Sequence, residues 1–184
     1  MLKLTQLRQD HAHMARLLHV LSLQHRHLVT AGERPSFRLM REACDYIMAY
    51  MDDYIVPLET LCGQRLAERD TQKGEQICEV AGEYRELRQR LAQLGNDLDS
   101  ILMDAIIPMT LFEERLKEYL NAHREVLRME REHLFPMLDA SLDEQEYVEL
   151  REALPMQAHA QLARLQQDYP ELYAEFREVQ LATA

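Results

Sequence analysis

Apolar residues recur at alternating steps of three and four along most of the chain, the spacing of one face of a helix. In the first stretch this face comprises Leu4, Leu7, His11, Met14, Leu18, Leu21, His25 and Leu28. The pattern predicts a long first helix with a coiled-coil-like apolar face. Gly32 and Pro35 predict its end, since glycine favours the turn after a helix and proline cannot continue one.

A second helix is predicted after Ser36, whose side chain can cap its first turn. Its apolar face comprises Phe37, Met40, Cys44, Ile47, Met51, Tyr54, Leu58 and Leu61. Pro57 lies inside this helix and is predicted to kink it, because proline lacks an amide hydrogen and clashes with the preceding turn.

Two more long helices follow a polar segment, residues 69–74, that is predicted to be a loop. The third helix carries Ile77, Val80, Tyr84, Leu87, Leu91, Leu94 and Leu98 on one face and is predicted to end near Pro108. Thr110 and Glu113 have the spacing of a capping box and predict the start of the fourth helix. Its face comprises Leu116, Leu120, His123, Leu127, Glu130, Leu134 and Met137.

Four long helices with short connections favour an all-α fold, an antiparallel up-down-up-down four-helix bundle. We assign residues 1–140 to this bundle and residues 141–184 to a C-terminal helical extension. A second capping box, Ser141 to Glu144, follows Pro136 and predicts a shorter helix that opens the extension. The extension is predicted to pack on the bundle or on a partner.

Composition agrees with a helical protein, because 47% of the residues are hydrophobic and the chain has only 5 glycines and 6 prolines. The formal net charge of −11 argues against nucleic acid or an anionic membrane as a partner, since both attract cationic surfaces. A homodimer or a protein partner, bound through the apolar faces or the C-terminal helices, stays open.

The cysteines Cys44, Cys62 and Cys78 are odd in number and form no CxxC pair, which indicates free thiols in a reducing compartment. The N-terminus becomes polar too early for a signal peptide, and no apolar run approaches 18 residues. We therefore expect a cytoplasmic protein.

Two polar side chains, His123 and Glu130, occupy positions on the fourth apolar face where leucines would be expected. Burial of an unpaired carboxylate costs several kcal/mol, so Glu130 is expected to have a partner, a proton or a metal ion.

Four segments together resemble the hemerythrin-like, HHE cation-binding family. Residues 130–136 are similar to the end of its last helix, Asp10–His11 to its opening motif, Pro57–Glu59 to the HHPxE motif of its second helix, and Glu83–Tyr84 to the EH pair of its third helix. The resemblance covers roughly residues 4 to 140 and implies a four-helix bundle built around a di-iron centre.

The metal ligands that the resemblance implies are only half retained. His11, Glu59 and Glu130 match ligand positions, whereas Ile55, Tyr84 and Val126 replace histidines. An oxygen-carrying di-iron centre needs several imidazoles, so this chain is not expected to be an oxygen carrier. A buried tyrosine more often donates its hydroxyl to a carboxylate than binds iron, and Tyr84 is predicted to donate to Glu59 or Glu130.

These residues leave two functions open. In the first, His11, Glu59, Glu130 and Tyr84 hold one iron or other divalent cation weakly, for a sensing or stress-related role. In the second, the protein is a metal-free interaction or regulatory module of the same fold. The sequence has no nucleophile–base pair, phosphate loop or intact metalloenzyme ligand set, and we do not expect an enzyme.

Overall fold

A computed structural model describes residues 4–154 and 161–182. Residues 1–3 of the predicted bundle and residues 155–160 and 183–184 of the predicted extension lie outside it. The described residues form helices, turns and short connections, with no β-strand among them. None of the helices in these two ranges has the length and apolar character needed to cross a membrane.

The helices of the first 140 residues agree with the predicted order. They are α1 (Thr5–Val29), α2 (Phe37–Tyr50), α3 (Val56–Ala67), α4 (Thr71–Leu102), α5 (Met109–Met129) and α6 (Phe135–Ser141). Two π-helical turns, Met51–Ile55 and Glu130–Leu134, join α2 to α3 and α5 to α6. The remaining helices are α7 (Glu144–Glu152), α8 (Gln161–Asp168) and α9 (Pro170–Ala182).

The apolar faces predicted for the long helices are largely buried, but the buried surface of α1 is wider than the predicted stripe. Leu17, Val20 and Gln24 lie outside that stripe and are also buried. The reason is that α1 packs against α2, α5 and α9, so neighbours cover more than one of its faces. The C-terminal helix α9 adds to the buried surface of α1, because it packs on α1 and α2. Helix α7 packs on α3 instead.

Contacts between α1 and α5 join the end of one helix to the start of the other. His25 Nε2 donates to Glu113 Oε1 at 2.7 Å, and His11 Nε2 donates to the Leu127 carbonyl at 3.1 Å. The two helices therefore run in opposite directions.

Helix α4 packs against both α2–α3 and α5. Arg41 near the start of α2 binds Asp99 near the end of α4 at 2.7 Å, and Asp52 lies 3.1 Å from Arg88 earlier in α4. These two ion pairs show that α4 runs antiparallel to α2.

Each π turn begins six residues before a proline, at Met51 before Pro57 and at Glu130 before Pro136. The carbonyls of Met51 and Glu130 accept from the amide five residues later, which widens the helix by one residue. The wider turn accommodates the proline ring and its missing donor, so the helices continue past both prolines. The predicted disruption at Pro57 thus takes the form of a π turn, and the fourth helical segment continues to Ser141.

The loop predicted at residues 69–74 is only partly confirmed: residues 69 and 70 connect the helices, but α4 already begins at Thr71. The Asp70 side chain accepts from the Lys73 amide and caps this helix. A Cβ atom at Gly74 would lie 2.5 Å from the Ala67 Cβ. Glycine therefore lets α3 and α4 approach closely and connect through a very short turn.

Both predicted capping boxes are wrong. Helix α5 begins at Met109 without a side-chain cap, and the glutamate of the Thr110–Glu113 pair accepts from His25 instead. Ser141 still belongs to α6, so the box at the start of α7 is formed by Asp143 and Glu146. By contrast, Ser36 caps α2 as predicted.

Candidate functional site

Two buried glutamates meet between α3 and the second π turn. Glu59 lies in the first turn of α3, Glu130 is the first residue of the π turn, and their exposed fractions are 6% and 3%. Their carboxyl groups hydrogen-bond to each other, which requires a proton on one of them. The hydrogen bond favours the neutral form of Glu59 and the ionised form of Glu130, so Glu59 is the donor.

Tyr84 of α4 completes this group. Its ring is buried, and its hydroxyl donates to Glu130 Oε1. Glu130 therefore accepts from both Glu59 and Tyr84, whereas Glu59 Oε2 is buried without a hydrogen-bond partner. The contact is the one that the sequence analysis expects of a buried tyrosine beside a carboxylate.

Burial raises the pKa of Glu59 well above its usual value, and the negative charge of Glu130 raises it further. Burial also raises the pKa of Glu130, although hydrogen bonds from Glu59 and Tyr84 and the nearby His11 oppose this effect. Both shifts favour a proton retained by the pair, and the hydrogen bond from Tyr84 to Glu130 favours its place on Glu59.

His11 of α1 lies half-buried beside the carboxyl pair. Its Nε2 donates to the Leu127 carbonyl at 3.1 Å, and its ring meets the edge of Phe135 at a centroid distance of 5.5 Å. With the proton on Nε2, the Nδ1 atom carries the lone pair. Histidines that bind metals commonly donate their other nitrogen to a carbonyl in this way, so the tautomer is suitable for a ligand.

These groups share one small internal cavity of about 20 Å³. That volume is enough for a single water molecule or ion, and a polar group that can reach it is needed to hold either one. The unpartnered Glu59 is on its wall. Its polar wall residues are Asp10, His11, Glu59, Cys62, Tyr84, Glu130 and Tyr147.

All four sequence-predicted site residues, His11, Glu59, Tyr84 and Glu130, therefore line the same cavity. Ile55, at the position of a ligand histidine in the resembled family, also lines it and adds no donor. In the described part of the chain, no group of three or more histidine, cysteine, aspartate or glutamate side chains is arranged to hold a metal ion. The donors present do not fit a di-iron centre.

Glu59 and Glu130 could together balance two charges only if both were ionised, and the Glu59 Oε2 atom is buried without a hydrogen-bond partner on a residue of the cavity wall.

A second hydrogen-bonded group, which includes the wall residue Asp10, was not predicted. The Tyr54 hydroxyl donates to Asp10 Oδ2 at 2.6 Å, and Arg151 Nε donates to the same hydroxyl at 3.0 Å. Burial raises the pKa of Asp10. The Tyr147 hydroxyl is buried without a hydrogen-bond partner. Arg151 and Tyr147 come from α7, and no local pattern in the sequence places that helix over the cavity.

His123 lies in the core but does not line the cavity. Its Nδ1 shares a 2.8 Å hydrogen bond with the Tyr119 hydroxyl, and its ring packs edge-on against Tyr84 with centroids 6.1 Å apart. Burial and, to a smaller extent, nearby His11 lower the pKa of His123 to about 3, so the imidazole is neutral. This histidine on the predicted apolar face is therefore a neutral core residue.

Comparison with known proteins brings no match, either to a family model, to a curated protein or to a solved structure. The resemblance to hemerythrin-like proteins thus stays a prediction that depends on the motifs of this chain, and the site has to be interpreted from its own geometry.

Proposed function

We propose that the protein is a hemerythrin-like helical bundle that binds one divalent cation weakly at Glu59 and Glu130 and does not carry oxygen. The observation that supports this most directly is the buried carboxyl pair, with one oxygen of Glu59 left unpartnered at an ion-sized cavity. In this proposal the protein senses or stores a cation in the cytoplasm. It has no enzymatic turnover and no nucleic-acid or membrane partner, in keeping with its net charge of −11.

The bundle in this proposal consists of four helical segments: α1, α2–α3, α4 and α5–α6. Antiparallel contacts between α1 and α5 and between α2 and α4 support an up-down-up-down arrangement. Contacts between α1 and α2 also support this arrangement, because His13 early in α1 lies 2.7 Å from the hydroxyl of Tyr46 late in α2. Gln24 late in α1 accepts at 2.7 Å from the amide of Ser36, which precedes α2.

Cation binding would replace the proton that Glu59 holds. Two buried carboxylates cannot both ionise without a compensating charge, and a divalent cation supplies it. Carboxylate oxygens prefer hard or borderline cations, so Mn²⁺, Fe²⁺ and Mg²⁺ are the ions to test. Binding is weak in this proposal because the cation competes with a tightly held proton and finds few ligands.

The test is metal analysis of protein purified without added metal, followed by calorimetric titration with Mn²⁺ and anaerobic loading with Fe²⁺. We expect about one cation per chain at saturation, as the two carboxylates allow. Glu59→Gln and Glu130→Gln should each weaken binding at least tenfold. Glu132→Gln is the matched control, since Glu132 belongs to the same π turn but is exposed and paired with Arg128.

Two irons per chain with oxo-bridged absorption bands would contradict the proposed ligand set. Binding that persists unchanged in both glutamine variants would place the cation elsewhere.

A second function, a metal-free interaction or regulatory module, is favoured by a different observation. Glu130 already accepts two hydrogen bonds, from Glu59 and from Tyr84, so this carboxylate is stabilised without a metal ion. Under this alternative the purified protein contains no metal, and chelator does not change its free energy of unfolding.

A further inference from the structure

The connection between α4 and α5 exposes an unusual number of apolar side chains. Ile106 is fully exposed and Met103 is 81% exposed, and Leu102, Met109 and Leu111 are also exposed. Single exposed apolar residues are ordinary, but several in one short segment indicate a contact surface. We call this segment, residues 101–111, the apolar end loop.

The backbone of the apolar end loop is held by the end of α4. Asp104 adopts a left-handed conformation with φ of 59°, its amide donates to the Ile101 carbonyl, and the Ala105 amide donates to the Ser100 carbonyl. These hydrogen bonds form a Schellman motif, which satisfies the last carbonyls of the helix. Ile106 and Met103 are thus presented from a defined backbone.

Val29, at the end of α1, adds to the same surface. The His25–Glu113 hydrogen bond brings the last turn of α1 beside the first turn of α5, and Val29 is 56% exposed. Together the exposed apolar side chains at this end offer on the order of 600 Å², close to the ~800 Å² that each partner buries in a standard interface. The size suits a small interface of two protein surfaces.

Charge identifies the kind of partner. The whole chain carries a net charge of −11, yet Asp104 is the only charged residue in the apolar end loop. Two copies of so acidic a chain repel each other over most of their surface, and repulsion is smallest where both faces lack charge. The apolar end loop offers a basic partner only one carboxylate, that of Asp104, and it offers an anionic lipid surface no lysine or arginine. We propose that the apolar end loop is the face through which two copies of this chain associate as a homodimer.

The expected dimer is weak. An interface of on the order of 1,200 Å² in total lies at the lower limit of stable complexes, so a dissociation constant in the micromolar range is expected. A two-fold arrangement places the same residues on both sides, which makes the loop self-complementary. The carboxyl pair is not part of this face, so dimer formation does not require a bound cation.

Sedimentation velocity with chelator present tests the proposal, over about 1 to 200 µM protein. We expect wild type to pass from monomer to dimer within this range, and Met103→Asp/Ile106→Asp to be at least tenfold weaker. Val148→Asp is the matched control, because Val148 is a 40% exposed apolar residue on α7. It should associate like wild type. Circular dichroism checks that the variants remain folded.

A charge-swap experiment identifies the face itself. Ile106→Asp and Ile106→Lys should each be mostly monomeric alone, whereas an equimolar mixture should associate more strongly than either variant. A wild type that stays monomeric at 200 µM, or a double variant that associates like wild type, overturns the proposal. Binding of a monomeric wild type to phosphatidylcholine vesicles overturns it in favour of a lipid surface. Cation titrations of these variants keep this result separate from the proposed function, which a failed dimer does not affect.

Discussion

Two kinds of titratable group that pack in the core show opposite pKa shifts. The carboxyl groups of Glu59 and Glu130 have raised pKa values, and the imidazoles of His13 and His123 have lowered ones. Burial is the largest cause in every case, because it disfavours whichever form is charged. The difference lies in the partners: the acids bind each other, whereas each histidine is paired with a tyrosine hydroxyl.

That difference is the basis of the proposed function. In the proposal another cation replaces the proton shared by the two carboxyl groups, and Glu59, with its unpartnered oxygen, lines the cavity that would hold it. A neutral histidine beside a tyrosine holds no exchangeable charge. His13, moreover, is covered by Phe176 of α9 at a ring distance of 5.0 Å. The acids therefore form the candidate site, and the histidines form structure.

The largest expected effect is acid destabilisation by the histidines. Burial, aided by Arg16, lowers the pKa of His13 to about 4, whereas an unfolded histidine titrates near 6.5. Between these values the unfolded chain binds the extra proton, so stability is lost as the pH falls from 7 to 4. For His13 alone the loss is roughly 3 kcal/mol. Urea unfolding at pH 7, 5.5 and 4 measures it.

His13→Gln keeps a polar partner for Tyr46 without titrating, so its free energy of unfolding should fall less steeply with acid. If the variant and wild type lose stability in parallel, His13 is not neutral in the folded protein.

The second effect concerns the hydroxyl that supports the acid pair. Tyr84→Phe removes the donor to Glu130 Oε1 and leaves a buried carboxylate oxygen without it. A buried acceptor that loses its partner costs about 1–3 kcal/mol. Thermal and urea unfolding at pH 7 should show this loss. Tyr173→Phe is the control, because Tyr173 is only partly buried, on α9. Equal stability of both variants would show that Tyr84 does not stabilise Glu130.

The third effect is the pH dependence of stability at Glu59, which has the opposite sign to that at His13. Because the folded pKa of Glu59 is raised, its contribution to stability is present below the unfolded value near 4.5 and is lost as the pH rises through the folded value. Glu59→Gln cannot titrate, so in metal-free protein it should gain stability over wild type at pH 7 relative to pH 4.5. Urea unfolding of metal-free wild type and variant at pH 4.5 and pH 7 measures this gain. A gain that is the same at both pH values would contradict a proton held on Glu59.

Periodicity was sufficient to predict the long helices because each buries an apolar face, and steps of three and four report that face directly. Helix ends depended on more distant causes. The sequence analysis places the capping box of α7 at Ser141, but the structure forms it at Asp143, because α6 continues past Pro136 to Ser141. The π turn before that proline leaves no distinct local pattern, so the position of the cap could not be predicted.

The candidate site was predictable in part for a similar reason. His11, Glu59, Tyr84 and Glu130 each occupy a motif or an apolar face, and helices that bury those faces bring them together. Tyr147 lines the same cavity and Arg151 donates to Tyr54 beside it. Both belong to α7, which packs on α3 through a contact far along the chain. Such long-range packing carries no spacing signal in a single sequence.

The smallest effect is expected at a histidine with a carboxylate partner. His25 donates to Glu113 at 2.7 Å, and both side chains are partly exposed, by 20% and 25%. Glu113→Gln should therefore cost less than about 1 kcal/mol and should cost still less in 0.5 M salt, because water and ions screen such pairs. Urea unfolding at two salt concentrations measures the difference, with Glu114→Gln at the exposed neighbouring position as control. Tyr84→Phe should show no comparable salt effect, since its contact is buried. A salt-independent loss above 2 kcal/mol in Glu113→Gln would mean that the His25–Glu113 pair behaves like the buried acids. Burial would then not explain the contrast between the carboxyl groups and the histidines.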